Sequence, residues 1–411
     1  MKAVGKGIVG LVWLVLLLVG LPGVITWLTS GRDAAAYGSY VPWGLWVSAY
    51  IYFIGLSAGA FLLSSLVYVF GVKKLAKIGR MALILAVTTL FIALLSIWID
   101  LGHKWRFWEV FTRPQFTSMM AWMVWLYTAY FILILAELWF DLRCDLSQLA
   151  SQGGGLAPLY RLLSLGHKCP SGDGAAACRE KSRKALQVLG ALGIPLAIAF
   201  HGGVGALFAT LSARPYWHSS LVPIFFLTGA LLSGGGLLMA IVALTGDDNE
   251  ETRDVLKFLG KIVLGLLVFD LLLEWAEFSI PLWYAVGSEN APIYMVLFGK
   301  YWYVFWIVHL LLGAAIPLVL LLAKPGSRFA SLVGGGLIAV TFLAVRLNIV
   351  IPAQVVPQLE GLQNAFIDKR LRFEYVPSVF EWSMVAFIAA LGITIFYLGC
   401  KLLPVETTAN E

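Results

Sequence analysis

The sequence predicts an all-α integral membrane protein with about ten transmembrane helices. Three observations carry that reading. Of 411 residues 60% are hydrophobic and 13% charged, about half the charged share of a soluble protein. Uninterrupted apolar stretches, each near the roughly twenty residues that cross a bilayer as a helix, recur along the whole chain. Lysine and arginine alternate in density from one connection to the next, as they do when successive loops lie on opposite sides of a membrane.

The spans run over 8–28, 44–70, 79–100, 118–140, 186–211, 221–245, 257–286, 301–323, 329–352 and 379–403. The first, "GIVGLVWLVLLLVGLPGVITWL", follows Lys2 and Lys6. It is longer than a signal-peptide core and lacks a small-x-small cleavage site, so it is read as a retained helix. Span two carries the small-residue stretch "LSAGAFL" and span three ends on "LLSIWIDL". Span four opens on "WMVW", and span five holds His201. Span six carries "LSGGGLL", span seven "LLLEWAEF", span eight opens on "YWYVFW", and span nine contains Arg346. Span ten closes the chain. Connections are short except 141–185, Gly/Ser-rich and basic, and 353–378, which mixes proline with charge. Neither is long or apolar enough to fold alone, so residues 1–411 form one membrane domain.

The loops on the side of the termini hold 19 basic residues and the opposite loops 9. Both termini are therefore expected in the cytoplasm, in a multi-pass protein of the cell membrane. The net charge of +6 is spread over loops rather than gathered in a stripe, which argues against nucleic acid. Cys169 and Cys178 are spaced too widely for a CxxC site and no second pair exists. Ordinary reduced loop thiols, including Cys144, are expected there, and no metal.

Two matches suggest a repeat. "LSAGAFL" (56–62) and "LSGGGLL" (232–238) lie 176 residues apart, and the Trp-acid ends "LLSIWIDL" and "LLLEWAEF" 177 apart. An offset of four helices preserves orientation. Spans two to five (44–211) and six to nine (221–352) are thus expected as two parallel four-helix bundles, flanked by spans one and ten.

Ionisable groups inside spans are costly and usually functional. Asp100 and His201, with Ser57 and Gly59 in span two and Ser118 and Trp122 at the mouth of span four, fall at similar depth in the first bundle. The segment "GHKWRFWEVFTRPQFTSMMAW" (102–122) crowds His103, three basic residues and three tryptophans into one outer connection. Interfacial anchoring explains the tryptophans, but not Asp100, His103 or Arg106. A helix-bundle pocket with an apolar wall, a protonatable histidine and a carboxylate suits a quinone, with His201 facing Asp100 across it. Glu274, Glu277, His309 and Arg346 fall in the outer half of the second bundle, as either a structural charge cluster or a proton path. Only His201 and His309 lie well inside spans, and in different bundles, so paired haem ligands are not expected.

"VPWGLWVSAYIYFIGLSAGAFLL" (41–63), the Trp-acid end of span three and "RFWEVFTRPQFTSMMAW" together resemble the NrfD/PsrC family, the membrane subunits of polysulfide-reductase-like respiratory complexes. The resemblance covers most of spans two to nine. Ten spans suit its longer branch, which includes the DsrP, Hmc and Qrc membrane subunits, DsrP foremost. It implies an oxidoreductase subunit active only within a complex, binding menaquinone, without haem or an iron–sulfur cluster of its own. The implied partners are an outer-face iron–sulfur protein with several clusters, a cytochrome c and further redox subunits; sulfite reduction and proton movement are possible links. By that resemblance the quinone site falls on Asp100, His103, Ser118, Trp122 and His201. The same loop would receive the partner through Lys104, Arg106, Trp108 and Arg113. A secondary transporter is the main alternative, weakened by the parallel repeat and the lack of paired broken helices. A structural anchor is the other, and it leaves His201 unexplained.

Overall fold

The computed structural model describes residues 2–170, 173–285, 287–368 and 370–405. Ten long helices carry the chain: α1 (Lys2–Ser30), α2 (Leu45–Tyr68), α3 (Gly79–Asp100), α4 (Met119–Ser151) and α5 (Asp173–Ala209); then α6 (Val222–Thr245), α7 (Glu250–Tyr284), α8 (Val304–Ala323), α9 (Arg328–Val350) and α10 (Val379–Leu402). No strand occurs among the described residues.

Polar side chains set several of the starts. Ser118, Asn249, Ser327 and Ser378 each accept a backbone N–H of the first turn of α4, α7, α9 and α10. At α10, Glu381 returns the bond to the Ser378 N–H at 2.7 Å, completing a capping box. The opening stretch of α8, Val304–Ala315, is wound as a π-helix. Such i→i+5 winding is rare and turns side chains out of the ordinary helical register.

Nine of these helices, among the described residues, are long and apolar enough to cross a membrane. The expected seventh span, α7, is longer than its neighbours but carries Asp270, Glu274 and Glu277 along its second half. Its charge is what separates it from the others. The expected loop 141–185 is corrected more substantially. Helix α4 continues to Ser151 and α5 begins at Asp173, so most of that stretch is helix. The reason is amphipathic continuation: Glu137, Asp141 and Asp145 recur every four residues, on one helical face. There Arg80 reaches Asp141 at 3.2 Å and Asp145 at 2.7 Å.

Packing is closest where small residues meet. Helix α2 crosses α6 at Gly59 and Gly234, where a Cβ on Gly234 would lie 2.7 Å from the Gly59 Cα. The two small-residue stretches matched in sequence thus meet each other, as glycine allows helices in lipid to approach. Helix α2 also packs on α3 and α5, α4 on α5, and α6 on α7 and α9, which in turn packs on α8. Helix α1 lies along α10, joined by the Trp13 indole donating to Thr394 Oγ1 at 2.9 Å. Its far side leaves Ile8, Leu11, Val15 and Leu18 exposed, as a lipid-facing surface must be.

Candidate functional site

Asp100 is the last residue of α3 and is buried. Arg32, just past α1, brings Nε to 3.4 Å from its Oδ1, yet that oxygen has no hydrogen-bond partner. Arg32 is itself held by the Pro42 carbonyl, to which Nη2 donates at 3.0 Å, and lies over the Tyr37 ring. Tyr37 stacks on Tyr375. The Tyr375 hydroxyl accepts the Leu45 N–H at 2.8 Å and donates to Glu381 Oε1. Glu381 also accepts the Ala36 N–H at 3.3 Å, and its carbonyl accepts the Trp46 indole N–H at 3.2 Å. Burial above all, then Asp100, holds the Tyr37 phenol well above its ordinary value, so it remains protonated. The ends of α1 and α3 and the starts of α2 and α10 are therefore tied by one buried polar cluster.

The 101–118 connection forms a rim beside Asp100. Lys104 Nζ sits 3.7 Å from the Trp27 ring centroid, a cation–π contact, and its carbonyl accepts the Trp98 indole N–H at 3.1 Å. Arg106 pairs with Glu109 in two bonds of 2.7 and 2.8 Å. His103, Arg106, Trp108 and Arg113 are exposed. Ser118 caps α4, and the exposed Trp122 donates its indole N–H to the Phe116 carbonyl at 2.8 Å. Trp105, Phe107 and Phe116 add to an aromatic surface turned outward.

His201 lies elsewhere. It is fully buried, and neither ring nitrogen has a hydrogen-bond partner. Its ring packs against Gly55 of α2, whose added Cβ would meet Cε1 at 3.5 Å, and beside Phe226 of α6. The expected pairing with Asp100 is corrected: α2 lies between α3 and α5 and packs on both. Asp100 turns towards the flanking helices, and His201 towards α6. Gly55 is ten residues into α2, about 15 Å along its axis at 1.5 Å per residue, whereas Asp100 ends α3 beside the start of α2.

The charged neighbour of His201 is in the second half. Arg346 on α9 is buried, donates Nη2 to the Phe226 carbonyl at 3.2 Å, and lies over the Phe226 and Phe342 rings. It is an electrostatic neighbour of His201 and of Asp270 on α7. Asp270 neighbours Glu274 and His309, and His309 Nε2 meets Glu274 Oε2 at 2.8 Å. The result is a buried ionisable series, His201, Arg346, Asp270, Glu274, His309, with unpaired atoms on His201, Arg346 and Asp270. Buried polar groups without partners are uncommon and call for a reason. His309 is in the middle of the π-helical stretch, whose altered register turns it towards α7.

Glu277 is corrected out of this series. It is half-buried and accepts a bond of 2.9 Å from Ser219 Oγ in the loop between α5 and α6, because three residues beyond Glu274 it has passed His309 along α7. Asp270, missed by sequence reasoning, stands one turn before Glu274, a spacing of four that signals a shared face. Arg32, Tyr37 and Glu381 were also missed, although the Ser378–Glu381 capping pattern is visible in the sequence. Ser57 donates to the Ala86 carbonyl at 2.7 Å and meets the Tyr130 hydroxyl at 3.3 Å; with Gly59 at the α2–α6 crossing, it joins helices. On the side of the termini, Cys144, Cys169 and Cys178, expected as separate thiols, converge with His167.

Residues 35–358 match the family described as polysulphide reductase, NrfD. The chain is 38% identical over 396 residues to a selenate reductase subunit of Mesobacillus selenatarsenatis, covering 96% of this chain and 93% of that protein. It is 28% identical to the Hdr-like menaquinol oxidoreductase integral membrane subunit of Archaeoglobus fulgidus, over 88% and 84% of the two chains. A menaquinone reductase integral membrane subunit of Nitratidesulfovibrio vulgaris is 20% identical over 95% of this chain and 90% of its own.

Proposed function

This chain belongs to the NrfD polysulphide reductase family, and from that premise we propose that it is the quinone-reactive membrane subunit of a respiratory redox complex. It exchanges electrons between menaquinol or menaquinone and an iron–sulfur partner on the face opposite the termini. The names of two relatives, a menaquinol oxidoreductase subunit and a menaquinone reductase subunit, support the choice of quinone. The far end of the electron chain is assigned to sulfur- or selenium-oxyanion chemistry, the latter as the name of the selenate reductase relative suggests. Lysine and arginine density puts both termini in the cytoplasm of a cell-membrane protein, with α7 as the seventh of ten spans.

The observation that carries the reading is Asp100: a buried carboxylate with an oxygen lacking a hydrogen bond, at the outer end of a helix group, beside a neutral phenol and an aromatic rim. Those donor types fit a quinone head group. When bound, a quinone supplies two-electron, two-proton chemistry. Asp100 holds and exchanges a proton at its free oxygen, and Arg32 stabilises its charged form. His103, Ser118 and Trp122 border the approach from the rim. Lys104, Arg106, Trp108 and Arg113 receive the partner, with a cytochrome c and other redox subunits further out. Asp100 and His201 are too far apart along the bundle for one ring to touch both. His201 is therefore assigned to the buried series with Arg346, Asp270, Glu274 and His309, where Arg346 offsets the carboxylate charge, while Ser57 and Gly59 hold α2 in place.

The test uses the intact complex purified from membranes. Asp100→Asn is expected to lower menaquinol-linked turnover by about 10²-fold or more, the usual weight of a proton-transferring group. The iron–sulfur partner should stay bound and reducible by an artificial donor. Unchanged quinone kinetics would remove Asp100 from the site, and the absence of any quinone reaction in the wild-type complex would overturn the proposal.

A further inference from the structure

We propose that Cys144, Cys169, Cys178 and His167 form a structural zinc site where α4 and α5 extend beyond the membrane on the side of the termini. The four donors come from three segments. Cys144 lies on the extended end of α4, His167 and Cys169 on the connecting loop, and Cys178 near the start of α5. All three sulfurs lie within 4.8 Å of one another. Cys144 and Cys178 Sγ are 2.8 Å apart, and His167 Nε2 is 3.2 Å from Cys178 Sγ. Cys144 and Cys178 are buried.

Three thiolates and one imidazole make a tetrahedral zinc set, and zinc–sulfur bonds of about 2.3 Å put ligand sulfurs roughly 3.8 Å apart. The observed grouping needs only small side-chain movements to reach that spacing. A four-iron cluster interposes iron and sulfide between its cysteines and needs them wider apart. On binding, each thiol releases one proton and the imidazole binds neutral, so the filled site carries one negative charge. Arg143, a neighbour of His167, and Arg179, a neighbour of Cys169, offset it.

The surroundings hold the donors in place, as outer contacts do in metal sites. The Cys169 N–H donates to Ser147 Oγ at 2.9 Å, and Arg143 Nε to Ser182 Oγ at 2.9 Å. The Trp139 indole N–H donates to the Leu163 carbonyl at 3.2 Å, and its ring meets His167 edge-on. Zinc would fasten the connecting loop to both helices. No role in electron transfer is needed for this, so the site stands whether or not the quinone reading does.

The full-length protein, purified in detergent without a polyhistidine tag, is analysed by elemental mass spectrometry. About one zinc per chain is expected, released by unfolding in the presence of a chelator together with three newly alkylatable thiols. Cys169→Ser and Cys178→Ser should each lose the metal. Should those variants fail to fold, cobalt exchange into the wild type gives a second readout, tetrahedral cobalt bands with thiolate charge transfer. Wild-type protein without zinc and with three freely alkylated cysteines would overturn the proposal, as would a Cys144–Cys178 disulfide or stoichiometric iron in place of zinc.

Discussion

Exchanging Glu274 and His309 for alanine, singly and together, measures whether the buried series acts as one unit. Their side chains are 10% and 5% exposed and meet at 2.8 Å. At that separation two unit charges attract by about 6 kcal/mol for an effective dielectric of about 20, and desolvation cancels much of it. What a single removal costs is set by the partner left behind: about 3–5 kcal/mol for an orphaned buried charge. Removing His309 leaves Asp270 and Glu274 facing Arg346 alone. Removing Glu274 leaves the imidazole without its acceptor. Each single variant should therefore melt about 6–10 °C lower, at roughly 2 °C per kcal/mol for a chain this large. The double variant should melt little below either, so the coupling is nearly the whole of one single loss, about 3–5 kcal/mol. Glu274→Gln keeps an acceptor but not the charge, and should cost about 1–2 kcal/mol. The assay is thermal unfolding of the detergent-solubilised chain, followed by tryptophan fluorescence or by loss of the monodisperse peak. Additive single losses would refute the reasoning, since the two side chains would then act independently despite their contact.

His201→Ala removes an imidazole that makes no hydrogen bond, so the complex should assemble while quinone-linked turnover falls about 10²-fold, the low side of proton-transfer contributions; unchanged kinetics would leave His201 a core residue. Gly234→Leu places a side chain against the Gly59 Cα at the α2–α6 crossing and should cost at least the roughly 1–3 kcal/mol of an overpacked core, seen as a lower yield of folded chain; a normal yield would mean the crossing is looser than described. Arg106→Ala together with Arg113→Ala should slow association of the iron–sulfur partner and flatten its salt dependence, with little change in folded amount; an unaltered association rate would move docking off this loop.

The spans were legible because bilayer crossing is a property of contiguous residues: length and apolarity, read locally, locate all ten long helices. The small-residue stretches were legible for the same reason, and glycine at 59 and 234 already marks where two backbones can meet. Helix α7 shows the limit of that logic, since its acids lower its apolarity and only their partners explain them. The loop 141–185 shows another, because turn-forming composition in its middle concealed two amphipathic helix ends. What the sequence could not supply was partnership. Asp100 and His201 share a depth scale along the chain, but α2 stands between their helices, and depth says nothing of the direction in which a side chain points. Arg32 finds Asp100, Glu381 finds the Ala36 N–H, and His201 finds Arg346 only when helices distant in sequence are laid side by side. The cysteines follow the same rule: no spacing of Cys169 and Cys178 reveals a cluster whose other members come from α4 and from a loop histidine. Local chemistry decides which segments enter the bilayer, and only packing decides which charges within it have company.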